Sequence, residues 1–120
     1  EVVWFDEESM LDAVTAISGS GPAYVFYFIE ALQAAARSMG MTDEQARRFS
    51  VTTFLGASRL AAQCDDPIQI LRDRVTSKGG TTAAALERMQ AAGLHERIVE
   101  AAFAALARSK ELARSFGEDR

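Results

Sequence analysis

Residues 22–40 read Pro22-Ala23-Tyr24-Val25-Phe26-Tyr27-Phe28-Ile29-Glu30-Ala31-Leu32-Gln33-Ala34-Ala35-Ala36-Arg37-Ser38-Met39-Gly40. The first half is ambiguous, because aromatic and β-branched residues also favour strands. The second half decides it. Leu32, Ala35, Ala36 and Met39 carry the apolar face onward at helical spacing with no turn signal between them. The stretch therefore predicts a helix from Pro22 to Met39, opened by a proline and stopped by Gly40. From Ala23 to Ile29 that helix is apolar on every side instead of along one stripe, which a small monomer has few places to surround.

Working outward, the same logic fills the chain with helices. Glu1 to Phe5 reads as an extended lead-in. A first helix is expected from about Glu7 to Ile17, with Asp6 as its N-cap, Met10, Leu11, Val14 and Ile17 on one face, and Ser18-Gly19-Ser20-Gly21 as its break. Thr42 and Gln45 have the spacing of a capping box and start a third helix that runs to about Gln63. Gly56 inside it costs roughly 1 kcal/mol against alanine, and a close contact with another helix is the expected return. Asp66-Pro67 opens a short fourth helix ending near Val75. A fifth begins at Thr81 or Thr82 and stops at Gly93. The sixth spans Leu94 to Phe116, with Leu94, Ile98, Ala101, Ala102, Ala105, Leu112 and Phe116 in line. The 22 alanines suit close helix packing. The expected fold is all-α, a bundle of about six helices interlocked as a homodimer.

Composition narrows the function. Hydrophobic residues make up 48% and charged residues 25% of the 120, the balance of a globular domain. With 13 Lys+Arg against 17 Asp+Glu the net charge is −4, which argues against a nucleic-acid partner. No apolar run reaches the roughly 18–20 residues of a membrane span. The lone Cys64 and the acidic Glu1–Glu8 lead to the expectation of a cytoplasmic chain without a signal peptide.

Two loops share one physical design. Ser18-Gly19-Ser20-Gly21-Pro22 and Ser77-Lys78-Gly79-Gly80-Thr81-Thr82 each lead a glycine-rich turn into a helix start. Free N–H groups and the positive end of the helix dipole favour an anion there, and glycines let it come close. The alternative is that both are capped interhelical turns. Neither is a P-loop, since Lys78 precedes its glycines, and neither is a dinucleotide fingerprint, which needs a preceding strand. His95 has no partner at metal-ligand spacing, and no metal site is expected. Cys64 beside Asp65 and Asp66 is a poor nucleophile. Glu30 interrupts an apolar helix and is read as solvated.

At these loops the chain resembles a known family. Leu11-Asp12-Ala13-Val14-Thr15-Ala16-Ile17-Ser18-Gly19-Ser20-Gly21-Pro22-Ala23-Tyr24 looks like the start of the C-terminal domain of pyrroline-5-carboxylate reductases. Val75-Thr76-Ser77-Lys78-Gly79-Gly80-Thr81-Thr82-Ala83-Ala84-Ala85-Leu86 is similar to that family's signature. Met39-Gly40-Met41 and the long last helix extend the likeness over nearly the whole chain. Lys78 departs from it, because proline is frequent there among relatives.

The resemblance implies an enzyme that reduces 1-pyrroline-5-carboxylate to L-proline with NADPH or NADH, in proline biosynthesis. It implies that residues 1–120 are the C-terminal dimerisation and substrate-binding domain without the Rossmann half, inactive by itself. It assigns the substrate to Val75, Ser77, Gly79, Gly80, Thr81 and Thr82, with the carboxylate on the N–H groups of Gly80 and Thr81. Thr82 would be catalytic, its hydroxyl reaching the ring nitrogen as hydride arrives at the adjacent carbon. Ser20, Gly21 and Pro22 would lie towards the nicotinamide. The implied partner is a second copy of the chain, with assembly beyond the dimer left open. Two other readings stand beside this one: the helical domain of another imine- or hydroxyacid-type reductase, and a ligand-free oligomerisation module.

Overall fold

The computed structural model describes residues 10–118, and every described element is helical. Helix α1 (Met10–Val14) passes directly into a π-helical turn (Thr15–Gly19). After it come α2 (Gly21–Ser38), α3 (Asp43–Ala62), α4 (Ile68–Arg74), α5 (Thr81–Ala91) and α6 (Leu94–Glu118). Helices α2 to α6 stand where the sequence predicts them, with ends moved by one or two residues, and α1 falls inside the first expected helix. The expected start of the first helix, Asp6 to Ser9, lies outside the described residues. Its expected end does not hold: the helix does not break at Ser18, because the π turn carries it through to Gly19 and leaves Ser20 alone before α2.

The stops and starts are built from local chemistry. Gly40 adopts φ +102°, a backbone that suits glycine, and Met41 N–H reaches back to the Ala36 carbonyl at 3.1 Å to close α2. Thr42 then caps α3. Its Oγ1 accepts the Gln45 N–H at 3.1 Å, and the Gln45 Oε1 accepts the Thr42 N–H at 3.0 Å.

The chain divides into two compact units. In the unit formed by 10–24 and 92–118, α6 packs on α1 and on the π turn. Ala102, Ala105, Leu106 and Ser109 form the covered seam of α6, and Ala16 in the π turn is buried at 3% exposure. The Ser109 hydroxyl donates to the Asp12 carboxylate at 2.7 Å, tying α6 to α1. Ile98, Ala101, Leu112 and Phe116, expected on the same apolar line, are exposed.

In the unit Val25–Ala91, Ala36 on α2 and Ala46 and Ser50 on α3 are buried, and Phe28 meets Phe54 edge to face at 5.2 Å. Within α2, Tyr24 and Phe28 are half-buried while Val25, Phe26 and Tyr27 are exposed. Gly56 has nothing within 4 Å of where a Cβ would stand, so the close contact expected for it is not made within this chain.

Among the described residues only three alanines and one serine are buried, and no large side chain is fully enclosed.

Candidate functional site

The loop between α4 and α5 is folded by its own backbone. Val75 N–H and Thr76 N–H turn back to the carbonyls of Arg72 and Asp73 at 3.2 and 3.1 Å, and the Thr76 hydroxyl donates to Arg72 O at 2.6 Å. Gly80 N–H closes a second turn on Ser77 O at 3.1 Å. Both glycines are required by that geometry. Gly79 sits at φ +74°, and a Cβ on Gly80 would stand 2.5 Å from Ser77 Oγ and 3.2 Å from Ser77 O.

Helix α5 then starts at Thr81, and its first internal N–H bond is that of Ala84 to Gly80 O at 3.1 Å. The N–H groups of Thr81, Thr82 and Ala83 therefore have no partner within the described residues, as the start of any helix leaves them. The hydroxyls of Thr81 and Thr82 likewise make no hydrogen bond there, and both residues are exposed. The partnerless donors are thus centred one residue further along than expected: Gly80 N–H is engaged in the turn, while Thr81, Thr82 and Ala83 present theirs. Val75, Ser77 and Lys78 flank them as exposed residues. Three convergent donors at the positive end of an 11-residue helix, with a cationic side chain close by in sequence, can hold a carboxylate.

The other loop does not share that design. Ser20 N–H donates to Thr15 O at 2.8 Å and Ala23 N–H to Ser20 O at 3.0 Å, and Pro22 has no N–H. Two of its donors are thus taken and Pro22 offers none, so this segment presents fewer free N–H groups than the start of α5. Ser18 donates its hydroxyl to Val14 O at 3.2 Å and is exposed, whereas Ser20 and Gly21 are half-buried. The Tyr24 hydroxyl, to which no sequence pattern points, donates to Ala16 O at 2.8 Å.

Remaining candidates fall into structural places. His95 and Glu30 are exposed, and no cluster of metal-ligating side chains occurs among the described residues. The Cys64 thiol donates to Asp66 Oδ2 at 3.3 Å, and Arg74 pairs with the same carboxylate oxygen at 2.7 Å. The thiol's hydrogen bond, then the guanidinium, hold the Asp66 carboxyl below its ordinary value. This trio brackets α4 from both ends.

Comparison with known proteins bears on the same segments. The family model described as pyrroline-5-carboxylate reductase dimerisation matches residues 8–112. A pyrroline-5-carboxylate reductase from Pseudomonas aeruginosa is 43% identical over 116 residues, covering 97% of this chain and 42% of that protein. One from Haemophilus influenzae is 41% identical, covering 92% and 41%. The structure of a pyrroline-5-carboxylate reductase from Coxiella burnetii superposes with a TM-score of 0.89 at 42% identity, covering 92% of this chain and 41% of that one. The Plasmodium falciparum pyrroline carboxylate reductase structure with NADP bound gives 0.84 at 35% identity, covering 88% and 40%. The chain spans about two-fifths of the length of the curated relatives it matches.

Proposed function

Because this chain belongs to the pyrroline-5-carboxylate reductase dimerisation family, we propose that it is the pairing and substrate-holding domain of a cytoplasmic reductase converting 1-pyrroline-5-carboxylate to L-proline. The observation that carries the substrate site is the start of α5. There the N–H groups of Thr81, Thr82 and Ala83 and the Thr82 hydroxyl have no partner among the described residues, close after Gly79, whose flank is open. The substrate carboxylate rests on those N–H groups, and Val75, Ser77, Gly79 and Gly80 wall the seat. The Thr82 hydroxyl faces the ring nitrogen and hydrogen-bonds it as the imine becomes an amine.

The reaction adds hydride to the ring carbon of the C=N bond and a proton to nitrogen. NADPH or NADH supplies the hydride when bound. The chain's own task is to fix the ring so that this carbon meets the nicotinamide, with Ser20, Gly21 and Pro22 on the cofactor's side. Pairing is supported by the exposed apolar surface: Phe26, Tyr27, Phe49 and Phe103 are each at least 60% exposed, and the open flank of Gly56 leaves room for a partner's helix. The partner proposed is a second copy of this chain.

Titrating the full-length reductase with L-proline, the product, tests the seat. The amide signals of Thr81, Thr82 and Ala83 are expected to shift together. Turnover of 1-pyrroline-5-carboxylate with NADPH, compared with acyclic imines and hydroxyacids, tests the chemistry. Unmoved amides, or preference for another substrate class, would remove this reading.

A further inference from the structure

The π turn presents a bonding problem that one side chain solves. In an α-helix the Ser20 N–H would serve the Ala16 carbonyl, four residues back. Here it goes five back, to Thr15 O at 2.8 Å. Ala16 is 3% exposed, so its freed carbonyl has little access to water, and a buried unpaired carbonyl is costly. The half-buried Tyr24 hydroxyl, eight residues on, fills the gap at 2.8 Å. The next hydroxyls in the turn do not compete for it: Thr15 Oγ1 donates to Leu11 O and Ser18 Oγ to Val14 O, at 3.0 and 3.2 Å.

We propose that Tyr24 is a positioning residue, whose hydroxyl holds the Ala16 carbonyl and so keeps the π register that sets Ser20, Gly21 and Pro22 at the head of α2. Single π turns inside α-helices occur frequently at functional sites, and the extra residue rotates the chain beyond them. Without the hydroxyl, the α register becomes the better arrangement, since it returns the Ser20 N–H to Ala16 O. Ser20 and Gly21 then shift by a fraction of a turn. The inference rests on the proposed reading that Ser20, Gly21 and Pro22 face the nicotinamide.

The test is Tyr24→Phe in the full-length reductase, which keeps the ring and removes only the donor. kcat is expected to fall about tenfold through misplaced reactants. The KM for 1-pyrroline-5-carboxylate stays unchanged because the α5 seat is untouched, and the melting temperature stays at the wild-type value. Replacing Tyr24 by 4-aminophenylalanine, which restores a donor, is expected to bring kcat back. A crystal structure of the Phe variant is expected to show Ser20 N–H on Ala16 O. Wild-type kcat in the Phe variant, a variant that fails to fold, or a retained π turn would each overturn the proposal. Should the wild-type enzyme itself not reduce 1-pyrroline-5-carboxylate, the functional reading fails, and the two crystal structures still decide the role of Tyr24.

Discussion

At the scale of single residues, function and stability depend on which polar groups have partners and which do not. Thr82 is the second residue of α5 and its hydroxyl makes no hydrogen bond among the described residues, so it does not serve there as a cap. Thr82→Ala is therefore expected to leave the melting temperature unchanged and to lower kcat about a hundredfold. Wild-type kinetics with a lowered melting temperature would give Thr82 a structural role instead. Asp66 shows the opposite case, a group committed to its neighbours. Its carboxyl is lowered from 3.8 by the Cys64 thiol and by Arg74, so its stabilising effect is fully present above that value and is lost as pH falls through the lowered one. The melting-temperature gap between wild type and Asp66→Asn is expected to stay constant from neutrality down to the ordinary carboxylate range and to close only below it. The gap should be small and salt-sensitive, because all three groups are at or near the surface. The Ser77–Thr82 loop stood out in the sequence as glycines running into a helix start, a pattern that a capped turn shares, and the role proposed for Thr82 came from the family resemblance. Tyr24 did not stand out, because a phenol that bonds a carbonyl eight residues back leaves no periodic trace.

At the scale of elements, helix starts and stops were the most readable features. The Thr42 capping box, Gly40 and Gly93 each act through contacts within a few residues, so tertiary packing does not override them. Thr42→Ala is expected to cost about 1 kcal/mol of stability, read from chemical denaturation, with no change in substrate affinity. The π turn was hidden for a related reason. Ser18-Gly19-Ser20-Gly21 carries every composition mark of a loop, yet the packing of α6 on this segment and the Tyr24 hydroxyl hold it helical. Composition reports the freedom of a segment to turn, not whether packing lets it. The Gly79-Gly80 turn is the element on which the proposed substrate seat rests. A Cβ at position 80 meets the Ser77 carbonyl at 3.2 Å, so Gly80→Ala is expected to open the turn and displace the start of α5. The expected readout is a KM for 1-pyrroline-5-carboxylate raised about tenfold with a smaller change in kcat. Unchanged KM would mean that the seat does not depend on this turn.

At the scale of the molecule, the decisive quantity is the apolar surface left uncovered. The sequence marks α2 as too apolar for a monomer, and the structure widens that observation beyond α2. Phe49 on α3, Ile68 on α4 and Phe103 on α6 are also exposed, each at 60% or more. Large apolar side chains left open on several helices are the surface that an obligate partner covers. Which residues cover one another could not be read from one chain's periodicity, because a partner's helix and a chain's own helix impose the same spacing. The central claim is that this domain completes its core with a second copy, and its mass in solution tests that most directly. Light scattering coupled to size exclusion at micromolar concentration is predicted to give at least twice the 13.0 kDa of the chain, with a melting temperature that rises with protein concentration. A species of 13.0 kDa whose melting temperature does not depend on concentration would contradict it.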